Sequence, residues 1–335
     1  MTDPGKRPTV TIVIEWENAI DTEDKWARYA ANALQAELAA IAPRMVSKPT
    51  VTYLYDENQV DLHAITQVID DAAPRLREFA QLEIVPAPGL SYYQLKNFGV
   101  SRAQTELSIM LDSDAAPQAG WLENMIAPFA DTSVMAVGGI TVLAHEDLLS
   151  RTLALTWIFR LAEEREATAR VHGIYANNTA VRTAFFRDNP FPALKAFKKQ
   201  CVFWLGHITA QGYRYVRVPD ALTIHAPHPS FRFMVWRAWM TGLDRDFKGY
   251  HTKSLSRPGR ITYAFTSFAK GLARAWSRIL RKRRSVELPV WQVPAATAIA
   301  AAFFAVVFIG QLAAAANRTH DELPGDYPRR SSHAA

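Results

Sequence analysis

The first two thirds of the chain alternate between short apolar runs and longer stretches in which apolar residues recur at helical spacing. The apolar runs predict strands at residues 9–14, 51–55, 82–85, 107–111, 134–142, 175–181 and 215–218. The intervening patterns predict helices at residues 25–41, 62–79, 92–104, 148–170 and 198–211. Because strands and helices alternate, the pattern predicts a doubly wound α/β sheet with helices on its faces.

The C-terminal fifth of the chain has a different pattern. Apolar residues recur there at steps of three and four from Phe265 to Ile279, while Lys270, Arg274 and Arg278 recur every four residues on another face. An amphipathic helix with one aromatic and one basic face suits an anionic membrane surface. The alternative is a helix that packs on the preceding domain and leaves its basic face in solvent.

Residues 290–316 form an uncharged stretch behind this helix. As a helix it would be about 40 Å long, whereas the hydrocarbon core of a bilayer is about 30 Å thick, so it is long enough to cross with tilt. Basic residues at positions 281–284 precede it, and the positive-inside rule then places the preceding domain in the cytoplasm. The sequence therefore predicts a single-pass protein of the inner membrane, with a buried or hairpin helix as the alternative.

Charge is concentrated in the same region. The 335 residues include 38 basic and 32 acidic ones, a net charge of +6, with 49% apolar and 21% charged residues, which indicates a folded chain. Seven basic residues and no acidic one lie between Lys270 and Arg284, so the rest of the chain is nearly neutral. A nucleic-acid-binding surface is therefore not expected.

Two further features of the composition bear on location. Cys201 is the only cysteine, which excludes an intrachain disulfide and a cysteine-cluster metal site and agrees with a reducing cytosol. Residues 1–8 are polar and lack the apolar region of a cleaved secretory signal, and we expect them to be disordered.

Polar clusters follow four of the predicted strands, at residues 15–18, 56–57, 88–89 and 112–114. In a doubly wound sheet the ligand crevice lies at these carboxyl ends. Asp112 and Asp114 are placed to hold a divalent cation, which usually keeps water or phosphate oxygens as its other ligands. Such a cation would neutralise a diphosphate leaving group. The alternative is that the two carboxylates only cap the following helix.

The segment at residues 111–122, Leu-Asp-Ser-Asp-Ala-Ala-Pro-Gln-Ala-Gly-Trp-Leu, resembles the central segment of family 2 glycosyltransferases, and residues 128–130 and 136–139 continue the resemblance. It extends over about residues 10 to 225. It implies a GT-A fold, a nucleotide-sugar donor, a Mg²⁺ or Mn²⁺ cofactor and transfer with inversion.

The resemblance also implies roles for individual residues. On the donor side, those matching the nucleotide-sugar contacts are Asp56, Lys96, Asn97 and Asp112. The metal ligands would be Asp112 and Asp114, with Asp114 the more direct one. His225 falls where some relatives have a histidine near the metal, although an ordinary hydrogen-bonded histidine is the alternative. The residues matching the acceptor-side segment are Asn177, Asn178 and Arg182.

Two positions depart from the family pattern. Glu15-Trp16-Glu17-Asn18 replaces the usual Pro-Thr-Tyr-Asn after the first strand, and Gln200 and Cys201 stand where a Glu-Asp pair supplies the general base. Glutamine cannot take a proton at neutral pH, and a thiol with a pKa of about 8.5 is a poor base. The residues that could replace this base are Glu163, Glu164 and His207, and the sequence does not choose among them.

These observations predict a membrane-anchored glycosyltransferase that faces the cytoplasm and passes a sugar to a lipid-linked or polysaccharide acceptor. The alternative is a catalytically silent GT-A domain that serves as a binding or scaffold subunit in surface-polysaccharide assembly. The predicted domain plan is a catalytic domain at residues 9–228, a membrane-proximal helical region at 229–288, a transmembrane helix at 289–316 and a polar tail at 317–335. Membrane contact is expected through residues 265–316.

Overall fold

The structure is a computed structural model that describes residues 7–170, 173–194, 198–227 and 230–316. Most of the predicted disordered start, the polar tail from residue 317 and the predicted domain boundary at residues 228 and 229 lie outside the described residues.

Within the described residues, eight strands form a single sheet. They are β1 Val10–Glu15, β2 Thr50–Tyr55, β3 Gln81–Pro86, β4 Leu107–Asp112, β5 Ala115–Pro117, β6 Val134–Leu143, β7 Asn178–Arg182 and β8 Arg214–His225. The strand order is β3-β2-β1-β4-β7-β6-β8-β5. The first four of these strands run parallel, while β7 runs antiparallel to both β4 and β6. The predicted mixed α/β sheet is confirmed.

Helices cover both faces of this sheet. Those between the strands are α1 Glu17–Asp21, α2 Asp24–Ile41, α3 Leu62–Ala72, α4 Leu76–Phe79, α5 Tyr92–Arg102, α6 Trp121–Ile126, α7 Leu148–Thr156, α8 Arg165–Ala169, α9 Thr183–Asp188 and α10 Gln200–Ala210. The side chains of β1 alternate between two cores, with Ile12 and Ile14 in one and Val13 in the other. Burial on both faces explains why β1 is a continuous apolar run.

Two predicted helices are interrupted. The helix predicted at residues 62–79 is two helices, α3 and α4, because Pro74 lies between them and cannot donate a helical hydrogen bond. The helix predicted at residues 148–170 ends at Thr156, and a second, short helix, α8, follows at Arg165–Ala169, so the prediction of one continuous helix was wrong. The centroid of the Phe159 ring lies 5.3 Å from that of Tyr175 and 5.2 Å from that of His225. Tertiary packing therefore overrides the local helical pattern in the residues after Thr156.

Three long helices form the C-terminal part, α11 Phe231–Lys253, α12 Arg257–Lys282 and α13 Val293–Ala316. Glycines let α11 and α13 approach closely, since a Cβ on Gly310 would lie 2.7 Å from the carbonyl oxygen of Trp239. Helix α12 runs antiparallel along α13, with Arg260 bonded to the Ala314 carbonyl at 2.8 Å and Gly271 packed against Phe304.

The predicted apolar C-terminal helix is present. The stretch Val290–Ala316 is long and apolar enough to cross a membrane, and 39% of its most apolar part is buried inside the protein. The face of α13 that carries Ala296, Ala300 and Val307 packs inward.

Candidate metal and nucleotide site

The carboxylates predicted to hold a metal come together with a histidine through strand pairing. Strand β4 ends on Asp112, and β5 begins three residues later and pairs with the end of β8, with Ala115 opposite His225. The backbone N–H of Ala226 donates to the carbonyl oxygen of Asp114 at 2.9 Å. As a result, His225 Nε2 lies 3.6 Å from Asp114 Oδ1 and 3.9 Å from Asp112 Oδ2.

Asp112 is held by donors on both of its oxygens. Lys96 Nζ donates to Oδ1 at 2.7 Å, the Tyr92 hydroxyl donates to the same oxygen at 2.8 Å, and Asn18 Nδ2 donates to Oδ2 at 2.7 Å. Lys96 is fully buried, with a relative exposure of 0%. Burial raises the pKa of Asp112, but the nearby positive groups, first among them the Lys96 ammonium, together outweigh it and leave the pKa below its usual value. Asp112 is therefore a fixed anion.

Asp114 differs sharply from Asp112. It is 1% exposed, and neither of its carboxylate oxygens accepts a hydrogen bond from any described residue. Burial, helped by the charge of the neighbouring Asp112 and opposed by His225, raises the pKa of Asp114 to about 6. A buried carboxylate without a donor is costly, and a bound cation would remove that cost.

The donor set fits a divalent cation. A carboxylate oxygen of Asp112, a carboxylate oxygen of Asp114 and a ring nitrogen of His225 all lie within 4.8 Å of one another. Carboxylate oxygens suit Mg²⁺ and Mn²⁺, and an imidazole nitrogen completes a set with room for water or phosphate oxygens.

These three residues line a cavity of about 220 Å³, here called the carboxylate cavity. Its lining also contains three cationic side chains, Lys198, Lys199 and Arg237. Lys198 Nζ lies 3.3 Å from the centre of the Tyr92 ring. Burial lowers the pKa of each of the three cations. A site that joins carboxylates for a metal with nearby cations can accommodate a diphosphate.

Of the predicted nucleotide contacts, Asp112 lines this cavity, whereas Asp56, Lys96 and Asn97 do not. Asp56 closes the turn after β2, where it accepts hydrogen bonds from the backbone of Asn58 at 2.9 Å and of Gly89 at 3.3 Å. Burial raises the pKa of Asp56, but these hydrogen bonds outweigh it and lower the pKa overall. Asn97 exchanges two hydrogen bonds with the backbone of Phe191.

The predicted acceptor-side residues separate in the structure. Asn177 lines the carboxylate cavity. Asn178 is fully buried, and its amide donates to the carbonyls of Ile140 and Ala221 while its oxygen accepts from the indole of Trp121. Arg182 lies at the other end of β7 and donates to three backbone carbonyls. Asn178 and Arg182 therefore hold the sheet together here.

None of the three candidate replacement bases lines the carboxylate cavity. Glu163 bonds to Lys282 at 2.6 Å, Glu164 bonds to Arg278 at 2.9 Å, and His207 is exposed on α10. At the family's base position, Cys201 does reach the cavity, but burial raises the pKa of its thiol. The catalytic roles of these residues remain predictions.

Sequence reasoning did not single out several residues that shape the site. Asn18 and Tyr92 bond to Asp112, and Lys198 and Arg237 add positive charge. The sequence could have indicated Asn18, because it is the last residue of the segment 15–18, whose departure from the family pattern was noted above. No sequence pattern indicated Arg237, since α11 reaches the cavity only through tertiary packing.

No protein-family model and no curated protein sequence matches this chain. Among solved structures, the chain is similar to the mannosyltransferase PcManGT from Pyrobaculum calidifontis in complex with GDP-Man and Mn²⁺, with a TM-score of 0.55 and 15% identity over 93% of this chain and 89% of that one. It is less similar to GalNAc-T7 with UDP, GalNAc and Mn²⁺, with a TM-score of 0.42 and 10% identity over 71% of this chain and 48% of that one. The first similarity confirms the predicted GT-A-like fold.

Proposed function

We propose that this chain is a metal-assisted glycosyltransferase that takes a sugar from a nucleoside-diphosphate sugar and transfers it with inversion. The observation that carries the proposal is Asp114, a buried carboxylate that faces His225 in the carboxylate cavity and has no hydrogen-bond donor in the described part of the chain. The mannosyltransferase with the same fold binds GDP-Man and Mn²⁺, which supports a donor of this class.

Each residue of the site has a distinct task in this proposal. Asp114 and His225 hold Mg²⁺ or Mn²⁺, with an oxygen of Asp112 as a third ligand, and the bound cation supplies positive charge to the diphosphate. Lys96 keeps Asp112 ionised and fixes its orientation. Lys198 adds positive charge along the wall where the diphosphate leaves.

Asp56 and Asn177 complete the proposed substrate contacts. The carboxylate of Asp56 is held in place by backbone donors from two turns, so it presents a rigid acceptor to a ribose or base. Asn177 reaches the cavity from the segment that precedes β7, and its oxygen accepts a hydrogen bond from the Thr141 hydroxyl at 3.0 Å. We assign Asn177 to the acceptor side.

Membrane contact belongs to the same proposal. Large apolar side chains remain exposed on α12 and on the connection to α13, among them Phe265, Trp276 and Leu280, and Trp291 is 75% exposed. Exposed aromatic residues beside basic ones are typical of proteins bound to an anionic membrane surface.

The packing of α12 against α13 favours a helix pair that lies in the membrane interface. Gly271 packs on Phe304 near the middle of α13, so Lys270 and Arg274 lie at the same level. If α13 crossed the bilayer with α12 attached, both cations would lie near the centre of the bilayer, at a free-energy cost of about 2.5–3.5 kcal/mol each. The single-pass geometry, the inner membrane and the cytoplasmic orientation predicted from the sequence remain predictions.

The orientation is tested on native membrane vesicles with an epitope tag after residue 335. If α12 and α13 lie in the interface, protease added from one side removes the tag and digests the catalytic domain together. Protection of the tag while the catalytic domain is digested, or the reverse, would show that α13 crosses the membrane.

The donor site is tested by Mn²⁺-dependent binding and hydrolysis of a panel of nucleotide sugars by the full chain. We expect Asp114→Ala to weaken Mn²⁺-dependent donor binding by about a hundredfold. Asp71→Ala is the matched control, because Asp71 is an exposed residue paired with Arg28 on the surface. Wild-type protein that binds no nucleotide sugar, or an Asp114→Ala variant that binds like wild type, would refute the proposal.

The alternative function is a silent GT-A domain, and the observation that favours it is the base position. Gln200 is a neutral amide whose Nε2 donates to the Leu194 carbonyl, and Cys201 is a buried thiol. Donor binding with no hydrolysis and no transfer to membrane extracts would establish this alternative, whereas turnover above that of Asp114→Ala would exclude it.

A further inference from the structure

A second cavity lies where the end of α7 meets α11, α12 and α13. Its volume is about 180 Å³. No acidic side chain of the described ranges lines it. Four arginines and two phenylalanines account for its character, namely Arg160, Arg245, Arg274, Arg278, Phe303 and Phe304. We call this cavity the arginine pocket.

The positive charge of the arginine pocket is only partly compensated. Arg278 pairs with Glu164 and donates to the Leu155 carbonyl at 2.7 Å, but its buried Nη2 has no hydrogen-bond partner among the described residues. Within the described part of the chain, Arg160, Arg245 and Arg274 form no ion pair with a carboxylate. Burial lowers the pKa of Arg245, and repulsion from Arg274 contributes to that shift. Cations gathered in this way are stabilised when an anion binds between them.

The arginine pocket adjoins the carboxylate cavity. Trp157 and Ile158 line both cavities, and they belong to the bend that ends α7. A group bound in one cavity therefore lies next to a group bound in the other.

The other side of the arginine pocket belongs to the membrane-facing helices. Phe303 and Phe304 come from α13, and Arg274 and Arg278 come from α12. The ring of Phe265 on α12 meets the ring of Phe308 on α13 edge to face, with centroids 4.8 Å apart, and 57% of Phe265 remains exposed. An apolar chain can therefore extend from the pocket along the outer surface of these helices.

We propose that the arginine pocket binds the phosphate or diphosphate head of a lipid acceptor and positions it beside the sugar donor. This inference rests on the proposed glycosyltransferase function and names the class of its acceptor. Guanidinium groups bind phosphate through paired, charge-assisted hydrogen bonds, and four of them around one pocket suit a phosphate or diphosphate. Free phosphate carries the same chemistry, but the phenylalanine wall and the adjacent membrane-facing helices favour a lipid.

The test measures binding of three probes to the full chain: farnesyl phosphate, farnesol and inorganic phosphate. Farnesol keeps the apolar chain without the phosphate, and inorganic phosphate keeps the anion without the chain. We expect farnesyl phosphate to bind at least about tenfold more tightly than either. Equal binding of farnesol, or equal binding of inorganic phosphate, would overturn the lipid phosphate site.

Two variants locate the binding site. Arg245→Gln and Arg274→Gln should each weaken farnesyl phosphate binding by about tenfold, since each removes one charge-assisted contact. Arg281→Gln is the matched control, because Arg281 is an exposed arginine of α12 outside the pocket, and it should change binding less than twofold. Equal losses in all three variants, or no loss in the pocket variants, would overturn the assignment.

Mn²⁺-dependent binding of the nucleotide sugar is measured in parallel on the same variants. It should be unchanged in the Arg245→Gln and Arg274→Gln proteins, which also shows that they are folded. Intact donor binding without farnesyl phosphate binding would refute the lipid site alone. Farnesyl phosphate binding without donor binding would refute the proposed glycosyltransferase function alone.

Discussion

The carboxylate cavity presents aspartates to its ligand, whereas the arginine pocket presents guanidinium groups, although Trp157 and Ile158 line both. The two cavities also differ in how their charges are compensated inside the protein. Asp112 forms an ion pair with the buried Lys96, whereas Arg245 and Arg274 have no carboxylate partner among the described residues. A carboxylate site needs a bridging cation before it can bind phosphate, while an arginine site binds phosphate directly.

The largest effect expected from this comparison concerns Lys96. Lys96→Met would leave Asp112 as a buried charge without its cationic partner, and breaking such a pair costs about 3–5 kcal/mol. Urea denaturation measures the free energy of unfolding. Lys25→Met is the control, because Lys25 pairs with Glu146 at an exposed position and its loss should change the stability far less. Equal losses in the two variants would show that Asp112 does not depend on Lys96.

Asp114→Asn should separate function from stability. Without the carboxylate, Mn²⁺ affinity should fall by about a hundredfold, as measured by titration calorimetry. The metal-free variant should be more stable than wild type at pH 8 by about 1–2 kcal/mol, since a buried ionised carboxylate without a donor is lost. A variant that is less stable than wild type at this pH would show that Asp114 has a stabilising partner in the metal-free protein.

The same residue predicts a pH dependence. The pKa of Asp114 is raised to about 6, so protons compete with the metal below that pH. Mn²⁺ affinity should fall by about tenfold for each unit below pH 6 and remain nearly constant above it. In linkage terms, the stability advantage of Asp114→Asn should be absent below about pH 4, grow as the pH rises from 4 to 6, and stay constant above pH 6. An affinity profile whose fall begins near pH 4 would contradict the burial of Asp114.

The smallest expected effect is in the arginine pocket. Arg245→Met keeps a long side chain but removes a half-buried cation that Arg274 repels, so it should raise the free energy of unfolding by about 0.5–1 kcal/mol. Farnesyl phosphate binding should weaken in the same variant. Destabilisation in urea would indicate that Arg245 is already compensated in the free protein, and the contrast between the two cavities would then disappear.

The sequence predicted the part of the molecule that depends on local patterns. The strand at residues 107–111 and the aspartates that follow it are adjacent in the chain, so an apolar run and its polar end sufficed to place Asp112 and Asp114 at the crevice. The helix at residues 148–170 was predicted too long, because aromatic packing of Phe159 against Tyr175 and His225 is a long-range effect.

The arginine pocket lay beyond sequence reasoning for the same reason. The basic residues at positions 270–284 suggested one surface with one purpose. In the structure these residues face different surroundings: Arg274 and Arg278 line the arginine pocket, while Arg281 is exposed. The pocket is completed by Arg245 from α11 and by Arg160 from the bend after α7. No spacing rule joins positions this far apart.

The wall formed by Trp157 and Ile158 has a kinetic consequence. Under the proposed function, two adjoining cavities would let a sugar donor and an acceptor be bound at the same time, and transfer would then occur within a ternary complex rather than through a glycosylated form of the protein. Initial rates measured at several fixed acceptor concentrations should therefore give double-reciprocal lines that intersect, whereas a substituted-enzyme mechanism would give parallel ones.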